Sequence, residues 1–351
     1  MVGVGSGAAA GQGAADAAAN TDADKRAALM REDGSGHHAL LALGRFLHGA
    51  GYRHTAVSAA SHQNVVRRVA GAGAPAPASP TLNDIFGLSA RFSADHLQPS
   101  IWGAMNQAGI VRRDGTGWRS KLRAASLNLD AGRSLLFFHS SYPTIEDDAV
   151  LFDPDTYRFL RALRPALAEG PVRRAIDIGC GAGAGAVLIA RHFPQAEVLA
   201  ADLNPKALTL TAVNADLAGA HQVRPVSSAA LEAVEGGFDL IVAHPPYLLD
   251  PCGRALRHGG GIHGERRSYE IVSAAIERLA PGGRLLLYTG VAMVSGCDPL
   301  LTRLKPLLDG AGVAWRYEEI EPDIHGDELA EAGYENADRI AAVWLEVRNR
   351  A

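Results

Sequence analysis

The spacing of hydrophobic positions changes near residue 160, and this change divides the chain into two parts. Before it, apolar side chains recur at helical spacing, as in residues 39–52, which predicts short helices and a small hairpin. After it, short apolar runs alternate with helical segments, which predicts a parallel sheet with helices on both faces. The predicted strands are residues 175–180, 196–202, 221–227, 238–244, 283–290, 315–320 and 338–347. The predicted helices among them are residues 184–193, 205–218, 266–280 and 298–309.

The last two predicted strands are separated by no helical pattern of usable length, so the final strand is expected to be added antiparallel. The patterns together predict four segments. Residues 1–36 are an Ala/Gly-rich lead, expected to be mostly disordered, and they lack the basic and apolar regions of a secretory signal. Residues 37–135 form a smaller, mainly helical domain, 136–160 connect, and 161–351 form the sheet domain.

Composition narrows the class of protein. No apolar run approaches the roughly 20 residues that cross a bilayer, so no membrane partner is expected. The three cysteines are too scattered for a disulfide framework or a CxxC zinc site, which favours a reducing, cytoplasmic setting. Between residues 40 and 134, eleven basic and four acidic side chains give about +7, although the whole chain carries −4. That basic surface could meet nucleic acid or an acidic partner, or it could simply be a solvated face.

A glycine-rich turn joins the first predicted strand of the sheet to a helix. The sequence there is Asp-Ile-Gly-Cys-Gly-Ala-Gly, from Asp177 to Gly183. Glycines let a ligand lie close to the backbone, and the helix N-terminus offers free N–H groups. The next strand ends at Asp202, whose carboxylate could accept both hydroxyls of a ribose. The pattern therefore predicts a nucleotide-like ligand.

Two features decide among such ligands. The chain lacks the Gly-Lys-Ser/Thr sequence of a phosphate-binding loop. Asp177 lies two residues before the first glycine, where a carboxylate would disfavour a pyrophosphate and favour a cationic amino group. A ligand that combines a ribose with an amino acid is S-adenosylmethionine. The alternative functions for such a fold are an NAD-dependent oxidoreductase and a non-enzymatic sensor of S-adenosylmethionine or a nucleotide.

Three successive segments resemble the motifs of class I S-adenosylmethionine-dependent methyltransferases: Asp-Ile-Gly-Cys-Gly-Ala-Gly, Ala-Asp-Leu-Asn-Pro-Lys-Ala-Leu and Phe-Asp-Leu-Ile-Val-Ala-His-Pro-Pro-Tyr. The resemblance covers residues 150–350. Within this family, the motifs most resemble those of the group whose fourth strand ends in Asn-Pro-Pro-Tyr. That group includes glutamine methyltransferases acting on release factors and ribosomal proteins, and enzymes that methylate adenine or guanine amines. It implies a Rossmann-like sheet of seven mostly parallel strands, S-adenosylmethionine as cofactor and S-adenosylhomocysteine as product.

The resemblance also implies roles for individual residues. The methionine and ribose portions would be lined by Asp177, Gly179, Cys180, Gly181 and Gly183, with Cys180 as a small packing residue. The ribose hydroxyls would be held by Asp202, the adenine flanked by Leu203 and Asn204, and the adenine amine contacted by Ser227 and Ser228. His244 is also expected to contact the cofactor. Residues 152–156 resemble the segment that closes over the cofactor in many relatives.

The tetrapeptide departs from the family at its first position, where His244 stands instead of Asn before Pro245, Pro246 and Tyr247. In the family, the Asn oxygen and the first Pro carbonyl accept hydrogen bonds from a planar NH₂ group, and the aromatic ring stacks on the substrate. A neutral histidine has one acceptor nitrogen, so it could accept from an amine or act as a general base toward a hydroxyl, an acid or a ring nitrogen. Alternatively, His244 merely ends the strand and the Pro-Pro backbone positions the substrate.

These observations favour direct in-line methyl transfer to an N or O nucleophile of a small molecule held near the tetrapeptide. His244, Pro245 and Tyr247 are the predicted catalytic residues, and Pro246 and Tyr247 are expected to contact the substrate. The alternative is a macromolecular acceptor, either a protein glutamine or an RNA or DNA base amine, which the basic N-terminal part supports. In the glycine-rich segment that follows, Arg254, Arg257 and His258 could bind a carboxylate or phosphate of the substrate, or could belong to a solvated loop. No metal site is predicted, because the nearby histidines fit no usual ligand spacing.

The acidic stretch 321–328 lies between the last two predicted strands. It is expected to be a plain connector, with a role in covering the substrate as the alternative.

Overall fold

The computed structural model describes residues 34–71, 79–130, 133–144 and 146–350, so the predicted lead lies almost entirely outside the described residues. The helices there are α1 (Ser35–Gly49), α2 (Ala59–Gly71), α3 (Leu82–Phe86), α4 (Pro99–Gln107), α5 (Pro154–Ala166), α6 (Ala184–His192), α7 (Pro205–Leu217), α8 (Arg266–Ile276) and α9 (Pro299–Gly310). The strands are β1 (Val111–Asp114), β2 (Gly117–Ser120), β3 (Leu122–Asp130), β4 (Arg133–Ser140), β5 (Arg174–Ile178), β6 (Glu197–Asp202), β7 (Val223–Ser227), β8 (Phe238–Ala243), β9 (Leu279–Val294), β10 (Ala314–Glu321) and β11 (Ala337–Arg348).

The chain divides into two compact units. The first consists of the described residues of Met1–Tyr52 and Pro77–Lys121, and contains α1, α3, α4 and the β1–β2 hairpin. The apolar positions of α1, Leu40, Leu43 and Leu47, are spaced for one helical face and are fully buried. Helix α1 packs against α4, whose Met105 is also fully buried.

The second unit contains a seven-stranded sheet in the order β10-β11-β9-β8-β5-β6-β7. Strands β9, β8, β5, β6 and β7 are parallel, and β11 runs antiparallel to both β9 and β10. The predicted mostly parallel Rossmann-like sheet, with its antiparallel final strand, is therefore confirmed. The chain order reverses between β5 and β8, and ligands of open α/β sheets bind beyond the carboxyl ends of strands at such a point.

The division between the units differs from the predicted boundary at residue 135, because the β3–β4 hairpin belongs to the second unit. Its anchor is Asn214 of α7, which is fully buried. The Asn214 amide accepts from the Phe138 N–H (2.8 Å) and donates to the Phe138 carbonyl (3.0 Å) and to the Ala182 carbonyl in the glycine loop (2.9 Å). Residues 53–56 also join this unit, since His54 and Ser126 exchange hydrogen bonds beside β3.

Helix α5 is an element that the hydrophobic pattern did not predict. Its start carries clear local signals: Asp153 caps the helix, Thr156 completes a reciprocal capping box, and Pro154 lies in the first turn. The helix places the predicted closing segment, residues 152–156, at its N-terminus. None of the helices within the described residues is long and apolar enough to pass through a membrane.

Candidate functional site

The carboxyl ends of four parallel strands meet at one edge of the sheet. Ile178, the last residue of β5, is paired in register with Ala201 of β6 and Ala243 of β8. Asp202 is paired with Ser227 at the end of β7. The register therefore brings the glycine loop, Asp202 and the tetrapeptide that follows β8 to the same edge.

The three glycines of the loop between β5 and α6 adopt left-handed backbone conformations, with φ angles of 69°, 54° and 77° at Gly179, Gly181 and Gly183. They serve two purposes. A Cβ at Gly179 would meet no atom within 4 Å, so this face of the loop is open to a ligand. A Cβ at Gly183 would come within 2.8 Å of the Thr211 side chain, so this glycine allows α7 to pack closely.

Cys180 lies in the same loop and is buried. Its thiol lies 3.4 Å from the Thr211 hydroxyl, and burial raises the pKa of the thiol well above its usual value. A protonated thiol is a poor nucleophile, so Cys180 fits the packing role that the sequence predicts.

Asp177 is almost completely buried, with 3% of its surface exposed. One carboxylate oxygen accepts the Ala186 N–H at 2.8 Å, and a Cβ at Gly185 would collide with that carboxylate. Burial raises the pKa of Asp177 to about 7, with Asp202 adding a smaller upward effect. A cationic group brought to this carboxylate would favour its ionised form, so the site suits an ammonium ligand.

Asp202 orders the loop and the start of the next helix together. Its two carboxylate oxygens accept the N–H groups of Gly181 (3.0 Å) and Asn204 (2.9 Å). Burial raises the pKa of Asp202, and the remaining lone pairs are available to hydroxyl donors. The Leu203 side chain is 63% exposed beside it and offers an apolar surface that could contact the face of a ring. Asn204 caps α7 and donates to the Asp148 carbonyl at 2.9 Å.

The two serines after β7 differ in their surroundings. Ser227 is exposed. Ser228 is buried, and its hydroxyl donates to the Ala230 carbonyl (3.1 Å) and accepts the Ala233 N–H (3.0 Å). The Ser228 hydroxyl is thus used within its own turn, which leaves Ser227 better placed of the two for a ligand.

His244 follows β8 and is surrounded by three aromatic rings. Its ring centroid lies 5.4 Å from that of Phe159, 4.9 Å from Tyr288 in an edge-on arrangement, and 6.2 Å from Tyr247 in a nearly parallel one. Burial lowers the pKa of His244, which leaves the ring neutral near pH 7. Within the described part of the chain, neither the ring nitrogens of His244 nor the Pro245 carbonyl has a hydrogen-bond partner, so acceptors remain available for a substrate.

A buried carboxylate lies behind this aromatic group. Asp155, in the first turn of α5, is 2% exposed. One of its oxygens accepts from the Tyr247 hydroxyl and from His325 Nε2 (2.6 Å). The other accepts from Arg158 Nη1 (2.6 Å) and the Tyr288 hydroxyl (3.1 Å). Asp155 thus fixes the hydroxyls of both tyrosines that contact His244.

The charges of this group reinforce one another. Burial by itself would raise the pKa of Asp155, but the hydrogen bond and charge of His325, together with the Tyr247 hydroxyl, hold it below its usual range. Burial by itself would lower the pKa of His325, but the hydrogen bond and charge of Asp155 raise it. The two residues therefore form an ion pair over a wider pH range than their ordinary pKa values would allow.

Sequence reasoning missed His325, Tyr288 and Phe159, and it treated Asp155 only as part of a closing segment. The acidic stretch 321–328 is not the plain connector that the sequence predicts, because it delivers His325 to Asp155 and Tyr247. No local signal distinguishes this histidine in the sequence.

The predicted substrate-binding residues of the glycine-rich segment take part in its own structure. Arg254 Nε donates to Asp250 at 2.8 Å, and the Asp250 N–H is bonded to His258 Nδ1 at 3.2 Å. Arg257 forms an ion pair with Glu328. These contacts order the segment and join it to the β10–β11 loop.

The structure also places Pro246 partly exposed beside the buried Tyr247. Among the described residues, the ligand atoms of His325, Asp327 and Glu328 lie within 4.8 Å of one another. Protein partners already account for two of them, since Glu328 is paired with Arg257 and His325 with Asp155.

Known proteins resemble the part of the chain that builds this site. A family model described as "Methyltransferase small domain" matches residues 151–294. The release factor glutamine methyltransferase of Deinococcus radiodurans is 36% identical over 157 residues, covering 41% of this chain and 55% of that protein. The enzyme of the same name from Bordetella pertussis is 30% identical over 214 residues, covering 56% of this chain and 74% of that protein.

A third relative is the ribosomal protein uL3 glutamine methyltransferase of Neisseria meningitidis, 31% identical over 133 residues, or 34% of this chain and 43% of that protein. The chain spans about half the length of most of the curated relatives it matches.

Proposed function

Because the chain belongs to the class I S-adenosylmethionine-dependent methyltransferases, we propose that it transfers a methyl group from S-adenosylmethionine to the side-chain amide nitrogen of a glutamine in a protein. The observation that carries the proposal is the pair of unoccupied acceptors, neutral His244 and the Pro245 carbonyl, beside the Tyr247 ring. The relatives whose names specify a glutamine in a release factor or in uL3 support a protein acceptor. They favour it over the small-molecule acceptor that the departure at His244 first suggests.

The residues of the cofactor side fit S-adenosylmethionine. The open faces of Gly179 and Gly181 leave room for it, the buried Asp177 suits its ammonium group, and Asp202 keeps lone pairs for the ribose hydroxyls. The exposed Leu203 offers an apolar surface for the adenine.

Further cofactor contacts are proposed for Asn204, beside the adenine, and for Ser227, near its amine. When bound, this cofactor supplies an electrophilic methyl group on a sulfonium centre.

The chain's own task on the acceptor side is orientation. An amide NH₂ group has two N–H donors, and His244 with the Pro245 carbonyl would receive one each. The Tyr247 ring, fixed through its hydroxyl, forms a wall against which a planar amide can stack, and Pro246 lines the approach. Positioning of this kind can lower a barrier by about 7 kcal/mol or more. The methylated amide nitrogen then loses one N–H proton to water. His244 needs to remain neutral for this role, as its lowered pKa ensures.

The test uses the full chain with isotopically labelled S-adenosylmethionine and two candidate acceptors, a bacterial release factor and protein uL3. Peptide mass spectrometry of the products should locate a methyl group on a glutamine side chain. Replacing that glutamine by glutamate in the acceptor should abolish the label. A methyl group found on a hydroxyl, a carboxylate or a small molecule would refute the proposed acceptor.

The substitution His244→Asn sharpens this test, because it restores the Asn-Pro-Pro-Tyr sequence of the relatives. If the acceptor is an amide, the Asn variant should retain activity, whereas His244→Ala should lower turnover with little effect on cofactor affinity. If His244 instead acts as a general base toward a hydroxyl, both variants should be inactive. His221→Gln serves as a matched control, since the His221 side chain is 75% exposed and pairs with Asp216 at 3.0 Å.

A further inference from the structure

We propose that His325, on the loop between β10 and β11, is a positioning residue of the methyl-transfer site that fixes the Tyr247 ring through Asp155. The inference rests on the proposed function for the reaction that it assists. It assigns a role to a loop that none of the site motifs includes.

The geometry places His325 at the centre of a closed set of hydrogen bonds. His325 Nε2 lies 2.6 Å from the Asp155 oxygen that also accepts from the Tyr247 hydroxyl, and 3.1 Å from that hydroxyl itself. Three polar atoms thus hold one another in position. The Tyr247 ring is wedged against the backbone of Gly290 in β9, where a Cβ would overlap it. Once the hydroxyl is fixed, the ring has little freedom to rotate away from His244.

The effect of His325 on the reaction is indirect. Its nitrogen Nε2 is engaged by Asp155 and Tyr247, and the residue that faces the acceptor is His244, which stacks almost parallel to Tyr247 at 6.2 Å. Asp155 also fixes Tyr288, which meets His244 edge-on. Loss of the His325 contact should therefore loosen two walls around His244 and leave the cofactor side unchanged.

The backbone at His325 gives independent support. Its φ angle is 56°, in the left-handed region that non-glycine residues seldom occupy. Such a conformation costs free energy and persists where surrounding contacts impose it, often at functional sites. The imposing contacts are present: Glu328 is paired with Arg257, and the Tyr334 hydroxyl accepts the Leu249 N–H at 2.8 Å. The loop is thus held onto the segment after the tetrapeptide, with His325 directed inward.

The test compares two substitutions. His325→Asn keeps a residue type that tolerates the left-handed backbone but is too short to reach Asp155. His325→Gln is long enough to donate to Asp155 without carrying a charge. His221→Gln is the matched control on the surface. Each full-length variant is first checked for a single cooperative unfolding transition that lies well above the assay temperature, since the His325 side chain, about a quarter exposed, should tolerate both replacements without loss of the fold.

Two measurements follow. The first is the NMR signal of the Tyr247 ring in protein labelled with ¹³C-tyrosine, assigned among the eight tyrosines by Tyr247→Phe. The second is the separation of kcat from the KM for S-adenosylmethionine. His325→Asn should shift the Tyr247 signal and lower kcat about tenfold with KM nearly unchanged. His325→Gln should show a smaller signal shift and a smaller fall in kcat. His221→Gln should change neither.

A Tyr247 signal that is unmoved in His325→Asn would overturn the proposal, as would a shifted signal with an unchanged kcat. The NMR measurement does not depend on the acceptor. If the wild-type chain methylates no glutamine, the proposed function fails on its own, and the Tyr247 signal still decides whether His325 positions that ring.

Discussion

The two halves of the candidate site are built in opposite ways. On the cofactor side, Asp177, the glycines and Asp202 lie within residues 177–204, and their hydrogen bonds join neighbouring loops. On the acceptor side, Asp155 is bonded to side chains 92, 133 and 170 residues away along the chain, namely Tyr247, Tyr288 and His325. A local motif fixes the first half, whereas the fold itself must assemble the second. The two halves should therefore respond separately to substitution.

The largest difference between the effect on turnover and the effect on cofactor binding is expected for Asp155→Asn. The change keeps the shape of the side chain but removes the charge that four donors share, so both tyrosine walls of His244 should loosen. Turnover should fall about a hundredfold, a typical cost of misplacing groups around reacting atoms. The dissociation constant of S-adenosylhomocysteine, measured by calorimetry, should barely change.

Asp216→Asn is the matched control, because Asp216 also pairs with a histidine but on an exposed surface. It should leave turnover at the wild-type value. If Asp155→Asn weakened cofactor binding as strongly as it slows turnover, the two halves would not be separable.

The converse substitution is Asp202→Ala. It removes the acceptor proposed for the ribose hydroxyls and also frees the N–H groups of Gly181 and Asn204. Loss of even one charge-assisted hydrogen bond, worth about 1.5–3 kcal/mol, should weaken binding of S-adenosylhomocysteine roughly tenfold to a hundredfold. Turnover at saturating cofactor should change much less. An unaltered dissociation constant would contradict the assignment of Asp202.

The same contrast explains how much the sequence predicts. The parallel sheet is predicted from the alternation of strand and helix patterns, and its antiparallel last strand from the short spacing before it. The cofactor loop is predicted from its glycines, which left-handed backbone conformations require. Asn214 shows where such reasoning stops: it lies within a predicted helix, and nothing local indicates that its amide would join β4 to the glycine loop. His325 is a similar case, since its partner Asp155 is 170 residues away. Long-range hydrogen bonds leave no periodic pattern.

Helix α5 is a different kind of omission. Its capping residues, Asp153 and Thr156, and its first-turn Pro154 are readable in the sequence, where the family resemblance assigns residues 152–156 only to a closing segment. The boundary at residue 135 differed from the observed one for a physical reason, because the β3–β4 hairpin is held by a side chain of α7 rather than by its neighbours in sequence.

Gly183→Ala tests whether packing within the fold, as well as contact with the ligand, requires the glycines of the cofactor side. A Cβ at Gly183 would meet Thr211 at 2.8 Å and would also face the cost of a left-handed φ of 77°. Together these should destabilise the fold by about 2–4 kcal/mol. Gly219→Ala is the matched control, since φ is 67° there but a Cβ would meet no atom within 4 Å. Urea unfolding should give a smaller loss for Gly219→Ala, and equal losses would mean that Thr211 yields without cost.

The smallest predicted effect is the pH dependence of the stability that the acceptor side gives to the fold. Burial opposes the charge of His325, but Asp155, and to a lesser degree Asp153 and Glu328, raise its pKa above the ordinary 6.5. A histidine whose pKa is raised by folding stabilises the protein fully below its unfolded value and loses that contribution as pH rises through the folded one. Asp155 has a lowered pKa, so its contribution is present above its ordinary 3.8 and is lost only in stronger acid.

The ion pair should therefore stabilise the fold most between about pH 4 and 6.5. The measurement is the difference in free energy of unfolding between the wild type and His325→Gln across this range. A charge-assisted hydrogen bond predicts about 1.5 kcal/mol at pH 6, declining as the solution becomes alkaline. His221→Gln is measured alongside as the surface control. If the difference in free energy of unfolding grew with pH, His325 would be neutral in the fold. The two sides of the site would then differ in how far apart their bonded residues lie along the chain, but not in the presence of an ion pair.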